Sequence, residues 1–308
     1  MHVFQSSQQI GVAMIQGTLG LAEHSILHTI TFLDRLHAAA RKNESWLCIG
    51  LDPDSALAPP EVLTDDPAEW MPRFLGAIVD ATRDLVCCYK PNIAFFEALG
   101  LPGQRALRIL LKALPSDIPV LIDAKRGDTP QTMLAYARAL FDDLGADAVT
   151  VNPYLGRDSL EPFFDYADRG VFVVCKTSNP GAGEIQDLVV EGSEPLFVRV
   201  ARRALTWAKH GTLGLVVGAT YPADVATVRR VAPRAPILLP GVGAQAGDLA
   251  RSVQAGLDAD GGGTIVNASR TILYASSDSN WQTAARDEAE NLRSAINAAR
   301  PAGATAPR

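Results

Sequence analysis

The chemistry-bearing stretch of the chain is Leu121-Ile122-Asp123-Ala124-Lys125-Arg126-Gly127-Asp128-Thr129-Pro130. It opens as a short apolar run after Pro119, as a buried strand does. It closes in Gly-Asp-Thr-Pro, a turn leading into helix-like sequence over residues 131–144. Side chains alternate faces along a strand, so Asp123 and Lys125 project to the same side. A carboxylate and an ammonium therefore stand together where the strand leaves its sheet. Such a pairing keeps the ammonium protonated and aimed, as a general acid requires. Asp128 lies beyond the strand and can face another surface. A charged strand end with a solvated loop is the plain alternative, but the apolar run just before it places the pair at the mouth of a core.

Positioning such a pair takes a rigid sheet. Strand-like runs recur at residues 46–51, 86–90, 120–125, 148–151, 171–176, 213–217, 237–239 and 264–267. Helix-like stretches separate them, including 67–84, 104–113, 195–210, 222–231 and 280–299, with another over 31–42 ahead of the first strand. Eight strands, each followed by a helix, predict an α/β chain folded as a single (β/α)8 TIM barrel. Continuous apolar strands suit a sheet buried on both faces. The rival is an open doubly wound sheet, but no glycine-rich dinucleotide turn follows the first strand.

At 308 residues with 47% hydrophobic and 20% charged side chains, the chain can bury one sizeable core. Its net charge of −6 argues against a nucleic-acid or anionic-membrane binder, although a few aimed donors still suffice for a phosphate pocket. Cys48, Cys87, Cys88 and Cys175 lie in or beside apolar runs, with neither zinc-ligand nor disulfide spacing. The expectation is a reducing, cytoplasmic setting and no metal. Residues 1–28 are expected to be an N-terminal extension, disordered or loosely docked. Within it, 10–22 is too short for a membrane span, and its interruptions and missing basic lead make a poor signal peptide. Residues 29–300 form the barrel domain, and 301–308 read as a frayed tail.

In such a barrel, chemistry sits at the carboxyl ends of the strands. Here those ends carry Asp52, Lys90, Asp123 with Lys125, Asn152, Lys176 with Ser178, Gln245 and Arg270. Lys90, Asp123, Lys125 and Asp128 sum to zero charge and can be buried together. Gly241-Val242-Gly243-Ala244-Gln245 opens the seventh helix, and Ser269-Arg270-Thr271 follows the eighth strand. Those two loops are the usual phosphate site of a barrel enzyme. Glycines expose N–H groups, a helix start attracts anions and arginine adds a forked donor. The loop from Ser178 to Gly183 is either a plain connection or a cover in which Ser178 and backbone amides read a heterocycle. Lys176 either caps its strand or faces the ligand.

Several motifs occur together and in order: Leu51-Asp52-Pro53-Asp54, Tyr89-Lys90-Pro91-Asn92, Asp-x-Lys-x-x-Asp at 123–128, Asn152-Pro153-Tyr154-Leu155-Gly156, Ser178-Asn179-Pro180-Gly181 and Gly241 to Gln245. With them the chain resembles the orotidine 5'-phosphate decarboxylase family over residues 31–299, in the longer bacterial form carrying Asp-Ala-Lys-Arg-Gly-Asp. Asp-x-Lys-x-x-Asp alone is shared with sugar-phosphate relatives; the ordered set is far more specific. The resemblance implies conversion of orotidine 5'-phosphate to uridine 5'-phosphate and carbon dioxide in pyrimidine biosynthesis, with no cofactor and no metal. Lys125 would protonate the ring carbon vacated by carbon dioxide, and Asp123 would lie against the departing carboxylate. Lys90 and Asp128 would complete the charged network. Asp52 would bind the ribose hydroxyls, Ser178 the pyrimidine with Pro180 in the same loop, and Gln245 and Arg270 the phosphate. Asp128, with Thr132 four residues on, would come from a neighbouring subunit, so the resemblance also implies a homodimer with shared sites. Two features depart from the family pattern: Ala268-Ser269 precedes Arg270 where a glycine is usual, and the N-terminal extension has no counterpart.

The chemistry is consistent with that implication. Decarboxylating an orotate ring leaves charge on a carbon without an adjacent electron sink, and a fixed ammonium is suited to stabilise it. Three other readings remain at this stage: a metal-dependent sugar-phosphate lyase on the same barrel, a Schiff-base aldolase using Lys125 or Lys90, and a non-catalytic nucleotide-binding barrel.

Overall fold

The computed structural model describes residues 29–190, 192–241 and 246–301, with 246–248 described along the backbone only. The expected extension at 1–28, the tail beyond Pro301, and Gln245 lie outside the described residues. Eight parallel strands form the sheet: β1 (Leu47–Gly50), β2 (Cys88–Lys90), β3 (Leu121–Arg126), β4 (Ala148–Val151), β5 (Gly170–Lys176), β6 (Thr212–Val217), β7 (Ile237–Pro240) and β8 (Thr264–Ala268). Their order is β2-β1-β8-β7-β6-β5-β4-β3. Single parallel bridges, Tyr89 to Val120 and Asn92 to Asp123, join β2 to β3 and close the ring. A sheet closed this way is the TIM barrel that the strand–helix alternation predicts. Every residue of β1 and β4 is buried, as strands covered on both faces must be.

Helices follow the strands and pack outside them. Phe32–Lys42 begins with a capping box: Thr31 Oγ1 accepts the Asp34 N–H, and Asp34 Oδ2 accepts the Thr31 N–H. This helix buries Phe32, whose ring meets Phe172 of β5 edge-on at 5.7 Å. Two helices differ from the sequence expectation. The helix over 131–144 is α-helical only for Pro130–Ala137 and continues as a π-helix, Arg138–Asp143. The helix expected over 195–210 stops at Ala204. There Thr206 Oγ1 donates to the Arg203 carbonyl at 2.8 Å, and Thr206 and Trp207 donate N–H groups three residues back, tightening the chain into a turn. A short antiparallel ribbon, Val189–Val190 against Glu194–Pro195, has no counterpart in the sequence reading. Among the described residues no helix is long and apolar enough to cross a membrane.

The amino-terminal face is held by charged groups that spend their hydrogen bonds on backbone. Asp147 accepts the Val120 N–H at 2.8 Å and pairs with Arg35 and Arg169. Arg229, buried on the helix Pro222–Val231, donates to the carbonyls of Gly256, Ala232, Ala235 and Gly263. Arg229→Ala leaves those buried acceptors unpaired. It is expected to lower the unfolding free energy by about 3 kcal/mol or more. Urea denaturation measures this, and a loss below about 1 kcal/mol would mean that water replaces the guanidinium without penalty.

Candidate active site

The carboxyl ends of β1, β2 and β3 bring together one acid, two ammonium groups and a second acid alongside. Lys90, last residue of β2, is 3% exposed, so its ammonium requires a built-in partner. That partner is Asp123: Lys90 Nζ lies 3.3 Å from Oδ2, and Lys125 Nζ lies 2.6 Å from Oδ1. One carboxylate thus carries an ammonium on each oxygen. Burial raises the Asp123 pKa, but Lys90, Lys125 and the hydrogen bonds from Lys125 and Thr150 outweigh it and hold the group at about 2, against an ordinary 3.8. Burial likewise works against the charge on Lys90. Asp52 and then Asp123 more than offset it, so the Lys90 pKa lies above its ordinary value. The two lysines differ in access: the Lys125 side chain is 46% exposed and the Lys90 side chain 4%. Lys125 is the ammonium that can reach a ligand.

Lys125 reaches Asp123 through an irregular backbone. Its φ is +45°, in the left-handed region, and the β3–β4 register shifts between Ile122 and Arg126. Thr150 of β4, fully buried, accepts the N–H groups of Ala124 and Lys125 at 3.0 and 2.9 Å and donates to Asp123 Oδ1 at 2.7 Å. The sequence reading does not include Thr150. Nothing in the apolar run Ala148-Val149-Thr150-Val151 separates it from an ordinary β-branched strand residue.

Asp52 is held just past β1. Its Oδ1 accepts the Asn92 N–H at 3.2 Å, and its carbonyl accepts the Tyr274 hydroxyl at 2.9 Å. That hydroxyl also accepts the Asp54 N–H at 2.7 Å, so Tyr274, likewise outside the sequence reading, pins the loop from two sides. Asp52, Phe95, Gly241, Asn267, Ser269, Arg270 and Thr271 line a cavity of about 280 Å³. The loops after β7 and β8 therefore converge beside Asp52, as the phosphate reading expects of Gly241 and Arg270. Gly241 has φ +88°, and a Cβ there would lie 3.2 Å from Ser178 Oγ. The β5 loop consequently packs against the same mouth. Ser269 fills the space beside Gly50, where a Cβ would fall 1.8 Å from its hydroxyl. The departure at Ser269 is thus matched by a glycine on the neighbouring strand.

Other expected site residues stand apart from this centre. Asp128 is half-buried, its Oδ1 accepts the Thr129 N–H at 2.7 Å, and no ion pair joins it to Lys90 or Lys125 among the described residues. Thr132 Oγ1 lies 3.5 Å from Thr129 Oγ1 on the same rim. Pro180, itself exposed, starts a single turn, Pro180–Ala182, whose last residue Ala182 is buried. Lys176 is buried and pairs outside the Asp123 array, with Asp187 and with Asp224 Oδ2 at 3.8 Å. Asn152 spends its Oδ1 on the Tyr154 N–H at 3.1 Å. Among the described residues no group of three or more His, Cys, Asp and Glu side chains is placed to hold a metal ion.

Fold and site together define a parallel (β/α)8 barrel enzyme with a Lys-Asp-Lys centre at its carboxyl-terminal mouth and an arginine-lined cavity next to it. The profile of the orotidine 5'-phosphate decarboxylase / HUMPS family matches residues 45–286. A Roseiflexus castenholzii orotidine 5'-phosphate decarboxylase is 53% identical over 271 residues, covering 88% of this chain and 98% of the relative. Among solved structures, Leishmania donovani OMP decarboxylase is 40% identical with a TM-score of 0.75, covering 87% of this chain and 99% of that one. Leishmania donovani UMP synthase is 41% identical with a TM-score of 0.76, and the match spans 57% of that longer chain. The chain belongs to the orotidine 5'-phosphate decarboxylase / HUMPS family.

The depressed Asp123 pKa gives a signed prediction. A carboxyl that ionises more readily folded than unfolded contributes stability above the unfolded value, 3.8, and loses it as the pH falls through about 2. The difference corresponds to about 2 kcal/mol. The stability advantage of wild type over Asp123→Asn should therefore shrink by about that amount as the pH drops from about 4 to about 2. Urea midpoints across that range measure it, and a gap that stays constant contradicts the assignment.

Proposed function

We propose that this barrel mouth decarboxylates orotidine 5'-phosphate to uridine 5'-phosphate, with Lys125 as the proton donor. The observation that carries the reading is the exposed Lys125 ammonium, 2.6 Å from a buried carboxylate whose other oxygen is taken by Lys90. In the reaction the bond between ring carbon and carboxylate breaks and carbon dioxide leaves. The electron pair stays on the carbon, which takes a proton from Lys125; the neutral amine then regains one from solvent. Asp123, held ionised, faces the departing carboxylate, while Lys90 stays charged behind it. A fixed cation at the developing carbanion is electrostatic stabilisation requiring no reorganisation at the moment of reaction. Asp52 binds the ribose hydroxyls. Arg270, with the Gly241 backbone, holds the phosphate in the cavity beside it; Gln245, the other phosphate contact that the family resemblance implies, lies outside the described residues. Ser178 and Pro180, on the loop against Gly241, cover the pyrimidine. Binding free energy from the distant phosphate is then available to order these loops.

We further propose a homodimer in which Asp128 and Thr132 complete the partner's site. Among the described residues Asp128 makes only a local hydrogen bond in its own chain, and the rim around it exposes Leu134, Tyr154 and Leu155, with Tyr154 84% exposed. Apolar side chains bordering an acid without a local cation suit an interface that carries the acid to another barrel.

Purified protein should convert orotidine 5'-phosphate to uridine 5'-phosphate, followed by the loss of substrate absorbance. Lys125→Ala should abolish turnover while the protein still folds, with a lowered melting temperature because buried Asp123 loses one of its two ammonium partners, and Arg270→Ala should raise KM roughly 10- to 100-fold. Retained turnover in Lys125→Ala removes the assigned donor. For the shared site, Lys125→Ala and Asp128→Ala proteins, each inactive alone, should recover about a quarter of wild-type activity when refolded together, since half the dimers are hybrids with one intact site each. No recovery from mixtures shown to contain hybrids rules out sharing.

A further inference from the structure

We propose that Thr150 is a positioning residue for the decarboxylation: its hydroxyl fixes both the Asp123 carboxylate and the backbone turn that presents Lys125. The inference rests on the assignment of Lys125 as the donor. A hydroxyl has one proton to give and two lone pairs to fill. The Thr150 hydroxyl uses all three: it accepts from the N–H groups of Ala124 and Lys125 and donates to Asp123 Oδ1. Those two N–H groups lie where the β3–β4 register breaks, so the ladder does not supply their acceptors. Lys125 adopts φ +45° at that break, a conformation that side chains with a Cβ disfavour and that persists only where the surroundings enforce it. Thr150 is the enforcing contact. It is fully buried on the strand beside β3, and its neighbours Ala148, Val149 and Val151 are also buried.

The same oxygen of Asp123 takes both the Thr150 hydroxyl and the Lys125 ammonium. One side chain therefore orients the carboxylate and sets where the ammonium begins. A valine would fill the same volume and satisfy the strand, but would leave two N–H groups and one carboxylate oxygen short of partners. In an array whose members polarise one another, such a loss reaches Lys125 through Asp123 without Thr150 touching substrate.

The test compares Thr150→Val, which removes the hydroxyl at constant size, with Thr150→Ser, which keeps it and loses the methyl. Thr150→Val should lower kcat by about 10²-fold, as expected for a donor moved off its reactive geometry, with KM changed less than about threefold. The acid limb of its kcat profile should move to higher pH, because Asp123 loses a donor to its ionised form. Thr150→Ser should restore kcat to within about fivefold of wild type and return the acid limb to its place. If Thr150→Val does not fold, Thr150→Cys, with a weaker donor of similar size, takes its place and should fall between Ser and wholly hydroxyl-free behaviour. Near-wild-type kcat in Thr150→Val, or equal losses in Val and Ser, overturns the proposal. Wild-type protein inactive on orotidine 5'-phosphate instead defeats the functional reading, so the two failures are separate.

Discussion

The site depends on one carboxylate accepting more than a carboxylate usually does. Asp123 takes Lys90 on one oxygen and both Lys125 and Thr150 on the other, at a position 8% exposed. An isolated buried charge is costly, and each partner alone would leave it undercompensated. Together they hold Asp123 ionised and, in return, hold Lys90 protonated in a place where burial works against its charge. Within one chain the second acid of this array is Asp52, the first of the charges sustaining Lys90. The four charges Asp52, Lys90, Asp123 and Lys125 therefore balance without Asp128.

The barrel separates fixed charge from adaptable contacts. Lys90, Asp123 and Thr150 lie on strands of the closed sheet, while Lys125 sits at the register break between β3 and β4. Gly241, Ser269 and Arg270 come from loops or element ends around the neighbouring cavity. Charge that must be preorganised belongs on rigid elements, because any freedom in it is lost as reorganisation during reaction. Anion contacts can come from loops, since closing them uses binding free energy that the phosphate supplies.

Strand order, closure and the convergence of charged strand ends were legible in the sequence because each rests on local pattern: apolar runs of strand length, period-two alternation and terminal turn residues. The pairing of Lys90 with Asp123 followed from adjacent strands; that of Lys125 with Asp123 was expected from strand alternation, but the structure makes it through the left-handed backbone of Lys125 at the β3–β4 register break. Among the features that did not follow, three show different reasons. Thr150 sits in an apolar strand where its methyl accounts for its presence, and only the neighbouring strand reveals what its hydroxyl binds. Tyr274 is remote in sequence from the Asp52 and Asp54 backbone it secures, and no spacing rule links them. The early end of the helix at Ala204 depends on a threonine hydroxyl competing for a backbone carbonyl, a local choice that hydrophobic periodicity does not register.

Lys176 shows why residue type and strand position alone do not assign a role. Like Lys90 it ends a barrel strand and is buried, at 2% against 3% exposure. Lys90 faces acids on neighbouring strand ends, so its charge is locked into the barrel. Lys176 faces Asp187, whose side chain is 51% exposed, and Asp224 on the helix Pro222–Val231, and its ammonium lies 5.3 Å from the centre of the Phe197 ring. Asp187 closes the segment that begins at Ser178, and Gln186 ties back to the Thr177 N–H at 2.8 Å and the Thr177 hydroxyl at 2.9 Å. The Lys176 charge is therefore spent joining the two ends of the loop that packs against Gly241. Its burial gives the loop a fixed base, while Ser178 and Pro180 remain exposed on it. Two lysines with the same burial at equivalent ends of the sheet thus serve different parts of one site, and the partners on the adjoining elements decide which.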